Sequence, residues 1–161
     1  MLMLAVISCL ICRLMFWTAW GNTPRVEKST LNGTQRVAMV TSNITWPDGI
    51  TLDRQNKLVF WVDERTNAVE SVDYDGNNRT LLLRQPGTPF IGVTFILSYL
   101  YVIEWGRNWV YKVDASNGSV ESILTFGFGQ TMNCQSSKSK NLIVNHQKYP
   151  AIKSLLVPTF E

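Results

Sequence analysis

The chain has 161 residues, of which 45% are hydrophobic, and a formal net charge of +3. This length is enough for one domain with its own core, and six Trp and seven Phe supply large rings for tight packing. A charge this small, carried by scattered basic residues, argues against a nucleic-acid partner.

The N-terminal residues 1–13 allow two interpretations. They are almost wholly apolar up to Cys12, and the small residues Ala19 and Gly21 would suit a signal-peptidase site, although Arg13 interrupts the apolar stretch. The stretch is too short to span a bilayer, which needs about 20 residues. The alternative is a remnant of the last strand of a preceding repeat unit. Both interpretations stay open at this point.

From residue 14 the chain repeats itself about every 42 residues. Each unit contains an aromatic strand, a second strand and an Asn-Gly or Asp-Gly turn. The aromatic strand recurs at 16–20, 60–63 and 101–105, and the second strand at 25–28, 68–71 and 109–112. The turn recurs at 32–33, 75–76 and 117–118. A period in the 40s with several short strands predicts a β-propeller. We predict blades at 14–57 and 58–99, a partial third at 100–125, and a diverged tail at 126–161.

A third strand follows each turn, and a fourth begins at Gly49 and again at Gly92. We expect these glycines to let neighbouring backbones approach closely, because they have no Cβ.

The aromatic strands supply the residues that we expect to hold the blades together. Trp17 and Trp61 are predicted to fill the space between neighbouring sheets, and Asp63 and Glu104 to anchor loops between blades. The full set of predicted structural residues is Phe16, Trp17, Phe60, Trp61, Asp63, Tyr101 and Glu104.

Three other side chains are candidate ligand contacts. Trp20 and Trp105 occupy the same position of the repeat as the polar residue Glu64, which places them nearer the surface. Arg107 lies in the same loop as Trp105. Aromatic and Arg side chains are enriched at the centres of protein interfaces.

Four sequons place acceptor asparagines at Asn32, Asn43, Asn78 and Asn117. Three of them lie in or just after a turn, where an exposed Asn can be glycosylated. They favour an extracellular protein, although Asn-Gly and Asp-Gly turns also supply such residues for backbone reasons alone.

No pattern for catalysis or for a cofactor stands out. Three cysteines cannot form a disulfide framework, and the Cys9–Cys12 spacing lacks the partners of a zinc or redox site. The single histidine, His146, lies in the tail. We therefore expect no enzyme, no metal, no cofactor and no small-molecule substrate.

The motif words taken together resemble the Tyr-Trp-Thr-Asp repeats of the low-density lipoprotein receptor family, also called class B repeats. The words that carry the resemblance are FWTA, WPDGITLD, LVFWVD and DYDGNNRTLL, and it extends over about residues 14–125. They resemble the receptor-related proteins more than nidogen. The resemblance implies an extracellular six-bladed propeller of an endocytic or Wnt co-receptor type, without a transmembrane helix of its own and flanked by growth-factor-like modules. It also implies a protein ligand and no enzymatic role, with a nidogen-like matrix-assembly module as the alternative.

The chain departs from the repeat in ways that bear on assembly. The motif Asp is replaced by Ala19 and Glu104, and the motif Trp by Val102. Nearly three of six four-stranded blades are present, so the ring would stay open. We expect a fragment that needs the remaining blades of a larger receptor, or another chain, because open blade faces and edges promote association.

Overall fold

The computed structural model describes residues 2–125, which form twelve strands and contain no helix. The strands build three four-stranded antiparallel sheets, and within each sheet they lie side by side in chain order. This confirms the predicted all-β, partial propeller architecture. The predicted tail 126–161 lies outside the described residues. Within residues 2–125 there is no helix long and apolar enough to cross a bilayer.

The strands of each sheet are joined by short connections. The first sheet contains β1 (Leu2–Cys9), β2 (Leu14–Trp20), β3 (Arg25–Thr30) and β4 (Val37–Val40). The second contains β5 (Pro47–Asp53), β6 (Leu58–Asp63), β7 (Ala68–Asp73) and β8 (Thr80–Arg84). The third contains β9 (Phe90–Ile96), β10 (Tyr99–Glu104), β11 (Trp109–Asp114) and β12 (Val120–Thr125).

The sheets are offset by one strand from the predicted units. The strand that holds Gly49 was expected to end the blade 14–57, but it is β5 and opens the second sheet, pairing with β6 through Leu52 and Val59. A repeat fixes the period and leaves the starting strand undetermined. The blade boundaries predicted at 57 and 99 are therefore corrected to the loops 41–46 and 85–89.

The N-terminal segment 1–13 belongs mainly to the first sheet. Its strand β1 pairs with β2 from Cys9 opposite Leu14 to Leu2 opposite Trp20. The interpretation as the last strand of a preceding blade is wrong, because β1 is the first strand of its own sheet. The third sheet, predicted as partial at 100–125, is likewise completed to four strands by β9.

Two hydrophobic clusters hold the three sheets face to face. The cluster between the first and second sheets is formed by buried side chains of both, with Trp61 wholly buried: Cys9, Phe16, Val26, Val40, Ile44, Ile50, Leu52, Val59, Trp61, Val72 and Tyr74. The cluster between the second and third sheets contains Phe60, Val62, Val69, Phe90, Val93, Leu100, Val102, Tyr111 and Val113. The second sheet is thus packed on both faces, as a blade inside a propeller is.

The first strands of the second and third sheets touch through glycine. A Cβ built at Gly49 would lie 2.7 Å from the Gly92 Cα, closer than a real Cβ contact allows. The expected close approach is therefore confirmed at this pair. It places β5 and β9 at the crowded inner end of the sheets.

Candidate ligand-binding face

One end of the three sheets is built from the connections that follow every second strand. Because the strands are antiparallel, the turns 21–24, 64–67 and 105–108 lie at the same end as the inter-sheet loops 41–46 and 85–89, which together we call the loop face. Backbone hydrogen bonds join these connections to one another. The Glu64 N–H donates to the Trp46 carbonyl at 3.0 Å, and the Trp105 N–H donates to the Pro89 carbonyl at 2.8 Å.

A pair of tryptophans and an arginine meet where the first sheet joins the second. The rings of Trp20 and Trp46 lie 5.8 Å apart in an edge-on arrangement, and the Arg65 guanidinium lies 5.4 Å from the centre of the Trp46 ring. Trp46 and Arg65 are exposed. Packed aromatic and cationic groups of this kind offer a partner a rigid surface at small cost in side-chain entropy.

Sequence reasoning singled out Trp20 as a candidate contact residue but did not single out Trp46 or Arg65. Trp46 stands outside the aromatic strands, directly before Pro47, and Arg65 occupies a turn position that varies between the units. The sequence did offer one signal for Trp46, which is its position in a connecting loop. A large ring in a loop has no blade interior to fill, which indicates a surface position.

The other predicted contact residues lie together at the third sheet. Trp105 is 43% exposed, and the Arg107 guanidinium lies 5.2 Å from the centre of the Trp109 ring. Arg107 also pairs with the buried carboxylate of Glu104, with 3.4 Å between Nε and Oε1. The loop face therefore carries one aromatic and cationic group at the first junction, and a second on the third sheet.

The Asp63 carboxylate fixes the loop beside the tryptophan pair. It is buried, and its Oδ2 accepts hydrogen bonds from the N–H groups of Thr45 at 2.7 Å and Trp46 at 3.2 Å. Its Oδ1 accepts from the N–H groups of Arg65 at 3.1 Å and Thr66 at 2.9 Å. One carboxylate thus positions both the inter-sheet loop and the turn that carries Arg65.

Glu104, at the equivalent position of the third sheet, has different partners. Its Oε2 accepts a hydrogen bond from the Tyr111 hydroxyl at 2.7 Å. Burial, with the hydrogen bond to Glu104, raises the pKa of Tyr111 to about 12. In the first sheet the same position is Ala19, which is buried and has no side chain that can accept a hydrogen bond.

A second repeated arrangement contains an arginine that binds a glutamate beside a tryptophan ring, and we call it the arginine clamp. In the first sheet the Trp17 indole N–H donates to Glu27 at 3.0 Å, and the Arg36 guanidinium binds both oxygens of that carboxylate at 2.9 and 2.8 Å. The guanidinium lies 5.3 Å from the centre of the Trp17 ring. Burial of Glu27 is outweighed by hydrogen bonds from Arg36 and Arg25, so that its pKa is lowered.

The second sheet repeats the arginine–glutamate pair beside a tryptophan ring, without the indole hydrogen bond, and uses it to bind its neighbour. Arg79 holds both oxygens of Glu70 at 2.6 and 3.0 Å, with its guanidinium 5.5 Å from the centre of the Trp61 ring. The same guanidinium donates to the carbonyls of Ser42 at 2.6 Å and Asn43 at 2.9 Å. In the sequence, Arg36 and Arg79 occupy the same position of the repeat, but this spacing alone does not indicate that they form this clamp.

Comparisons with known proteins agree with this geometry. Residues 13–54 match the family model described as low-density lipoprotein receptor repeat class B. The chain carries class B repeats of the low-density lipoprotein receptor family. It is 32% identical over 111 residues to the vitellogenin receptor Yl of Drosophila melanogaster, a match that covers 69% of this chain and 6% of that protein.

Other similar proteins share the class B repeats or the fold. A low-density lipoprotein receptor-related protein 5-like protein of Homo sapiens is 25% identical over 100 residues, covering 62% of this chain and 40% of its own length. Nidogen, in the crystal structure of a nidogen/laminin complex, superposes with a TM-score of 0.69 at 24% identity, over 74% of this chain and 46% of that chain. The chain thus spans less than half of each of these proteins.

The remaining predicted residues of the class B repeats have clear positions. Phe16 and Phe60 are buried in the two inter-sheet clusters, whereas Tyr101 is half-buried on the far side of the third sheet. All four sequon asparagines, Asn32, Asn43, Asn78 and Asn117, are exposed.

The turn between β1 and β2 contains a disulfide that the sequence analysis did not predict. Cys9 and Cys12 are bonded, with a Cα–Cα distance of 5.4 Å. Three cysteines are too few for a framework, yet two of them close this single hairpin turn. No group of three or more His, Cys, Asp or Glu able to hold a metal ion occurs in the described part of the chain.

Proposed function

We propose that this chain is part of an extracellular, non-enzymatic propeller that binds a protein ligand, in an endocytic or Wnt co-receptor-type receptor. The observation that carries the proposal is the loop face, where half-buried Trp20 meets exposed Trp46 and Arg65 at one junction. On the third sheet, Trp105 lies in the same loop as Arg107, whose guanidinium lies over the Trp109 ring. Protein interfaces concentrate their binding energy in such Trp and Arg side chains.

The similar proteins support a macromolecular ligand. One relative is named for vitellogenin, and the nidogen structure is a complex with laminin, so both names specify a protein partner. A row of loops with exposed Trp and Arg side chains suits a protein surface, whereas a small substrate needs a concave and largely enclosed site. This chain covers 6% of the vitellogenin receptor and 46% of the nidogen chain, so a protein ligand for this chain is a proposal.

An extracellular location is supported by two features of the surface. The four sequons are exposed, and the Cys9–Cys12 disulfide is of a kind that persists in oxidising compartments. We expect glycosylation to be weaker at Asn78 than at Asn32 and Asn117, because the Asn78 amide nitrogen donates to Asp73 at 2.9 Å. Site-resolved mass spectrometry after deglycosylation in ¹⁸O water measures this order, and equal occupancy at all sequons would contradict it.

The experiment measures the affinity of a secreted ectodomain that contains this chain for a protein ligand that the ectodomain captures. Replacing Trp105 and Arg107 by Ala should weaken binding about 10- to 100-fold, as loss of central Trp and Arg contacts does. The same loss is expected for Trp46→Ala. The control is Leu97→Ala, an exposed apolar residue at the opposite end of the sheets, which should leave the affinity unchanged.

The fold of each variant is checked by circular dichroism so that lost affinity is not lost structure. Unchanged affinity in all the tryptophan and arginine variants would remove the loop face as the binding site. Equal loss in the Leu97→Ala control would also contradict the assignment.

A nidogen-like matrix-assembly module is the second candidate, favoured by the structural match to nidogen. The two candidates differ in where a labelled ligand goes. Cells that display the complete protein should internalise the ligand if it is an endocytic receptor, whereas a matrix module would retain the ligand in extracellular deposits.

A further inference from the structure

The four sequon asparagines are divided between the two ends of the sheets. Asn32, Asn78 and Asn117 lie in the connections that join the third strand of each sheet to the fourth. Because the strands are antiparallel, these connections lie at the end opposite the loop face. Asn43 lies instead in the loop 41–46, which belongs to the loop face. Of the four possible glycans, one at Asn43 therefore shares an end of the sheets with the candidate binding residues.

Asn43 and Trp46 are neighbours on the solvent side of the same short loop. Residues three apart in a chain have Cα atoms at most about 11 Å apart. Asn43, Thr45 and Trp46 are all exposed. Ile44, which stands between them, is 7% exposed and packs into the cluster between the first and second sheets. The acceptor asparagine and the tryptophan thus both lie on the outside of a loop that is pinned from within.

The backbone of this loop is held on both sides of Ile44. The Asn43 carbonyl accepts a hydrogen bond from the Arg79 guanidinium at 2.9 Å. The N–H groups of Thr45 and Trp46 donate to the Asp63 carboxylate at 2.7 and 3.2 Å. A sugar attached to Asn43 would therefore have a fixed base beside the Trp46 ring.

The Asn43 side chain is available for modification. Within residues 2–125 its backbone carbonyl is hydrogen-bonded but no group bonds its side-chain amide, whereas the Asn78 amide nitrogen donates to Asp73. In N-glycosylation the asparagine Nδ2 bonds to the anomeric carbon of an activated oligosaccharide. The diphosphate of that donor leaves with the electron pair of the broken C–O bond, and the amide gives up one proton.

We propose that an N-linked glycan at Asn43 covers the Trp46 group, formed by Trp20, Trp46 and Arg65, and lowers the affinity of the loop face for a protein ligand. This inference rests on the function proposed above for the loop face. A glycan is bulky and hydrophilic, so that it would occupy the space in which a protein partner must meet exposed Trp46. Glycans on the three asparagines at the opposite end would leave this space open. Occupancy of a single sequon would therefore regulate binding.

Thr45 offers a matched pair of variants for the test. Thr45→Ala removes the sequon and keeps Asn43, whereas Thr45→Ser keeps the sequon. Thr45 is exposed and bonds Asp63 through its backbone N–H, which both variants retain. This pair is preferable to Asn43→Gln, because Asn43 has a φ of 49°, a conformation that asparagine adopts more readily than most residues.

The first test measures the oxidation of Trp46 by hydroxyl radicals, detected by mass spectrometry of a secreted ectodomain that contains this chain. The same spectra report whether Asn43 carries a glycan, and an unoccupied Asn43 would overturn the proposal. We expect a loss of Trp46 oxidation in the glycosylated ectodomain relative to Thr45→Ala. Trp105, which is 43% exposed on the third sheet, is the internal reference and should be oxidised equally in both. Equal oxidation of Trp46 in the two chains would contradict the cover.

The second test uses a protein probe, an antibody Fab fragment selected on the Thr45→Ala ectodomain and required to lose binding on Trp46→Ala. It should bind the glycosylated ectodomain and Thr45→Ser about 10- to 100-fold more weakly than Thr45→Ala, as loss of a central Trp contact does. The matched control is Ser119→Ala, which removes the sequon of Asn117 at the opposite end and should leave the affinity at its glycosylated value. Equal affinity for Thr45→Ala and Thr45→Ser would overturn the proposal.

These readouts separate the effect of the glycan from the assignment of the loop face. Trp46→Ala in the Thr45→Ala background, where no glycan covers the ring, tests the assignment with the captured ligand. No loss of affinity for that ligand would refute the Trp46 group as a contact. A loss there, together with equal oxidation and equal Fab binding of the glycosylated and Thr45→Ala ectodomains, would keep the loop face and refute the role of the glycan.

Discussion

Replacing Asp63 by Ala should destabilise the chain and loosen the loop that carries Trp46. The buried carboxylate accepts four backbone hydrogen bonds, two from the inter-sheet loop and two from the turn after β6. Alanine leaves all four N–H groups without this acceptor. The side chain itself is 1% exposed, so water does not reach the position without a rearrangement.

The magnitude follows from the number and the surroundings of these bonds. A hydrogen bond to a charged acceptor contributes about 1.5–3 kcal/mol, but the residues that donate lie near the surface, so that water can partly replace the carboxylate once the loop rearranges. Counting about 0.8 kcal/mol for each bond gives a loss of roughly 3 kcal/mol in the free energy of unfolding. For a chain of this size that corresponds to a fall in Tm of roughly 6–12 °C.

The assay is urea unfolding followed by circular dichroism, with tryptophan fluorescence as a second probe of unfolding. The matched control is Asp75→Ala, which removes an exposed carboxylate 3.4 Å from Lys28 and should change the free energy by less than about 0.5 kcal/mol. An Asp63→Ala chain as stable as the Asp75→Ala control would refute the reasoning. It would mean that the loop is held by its packing alone.

Three further predictions concern the arginine clamps and the ionisable groups. Arg79→Lys should lower the free energy of unfolding by about 2 kcal/mol, and Arg36→Lys should lower it by less, because Arg79 also binds two carbonyls of the neighbouring loop. Equal losses in urea unfolding would contradict this. Because the native pKa of Glu27 is lowered from 4.5, its stabilisation is present above pH 4.5 and is lost as pH falls through the native value. Glu27→Gln should remove this part of the acid dependence in unfolding midpoints, and an unchanged dependence would assign it to other carboxylates. The pKa of Tyr111 is raised from 10.0 to about 12, so its contribution is complete below pH 10 and is lost as pH rises toward 12. Glu104→Gln should move the alkaline ultraviolet titration of Tyr111 to lower pH, and no movement would exclude a contribution of the Glu104 carboxylate to the raised pKa.

The fold was accessible from the sequence because the repeat has a strong period. The aromatic strands and the Asn-Gly and Asp-Gly turns gave the strand order within a unit, and Gly49 and Gly92 marked the close approach of inner strands. The starting strand was not accessible, because a cyclic pattern reads the same from any strand. Only the pairing of β1 with β2 and of β5 with β6 decides where each sheet begins.

The candidate site was less predictable than the fold because it depends on contacts between sheets. Trp20 could be recognised as a surface residue from the polar Glu64 in the same phase. Its contact with Trp46 joins residues 26 positions apart in different sheets, and Arg65 comes from the following turn. No local periodicity links these positions, whereas a three-dimensional junction does.

The candidate binding site depends on the junctions between sheets, and these junctions determine how much of a receptor is needed to bind a ligand. Asp63 positions the loop between the first and second sheets, and the Arg79 clamp binds the same loop from the second sheet. Each complete junction therefore orders its own part of the loop face. Residues 2–125 contain two complete junctions, so the Trp46 group should keep its geometry in the isolated chain. Groups that depend on a junction at either outer face should be ordered only when another blade covers that face.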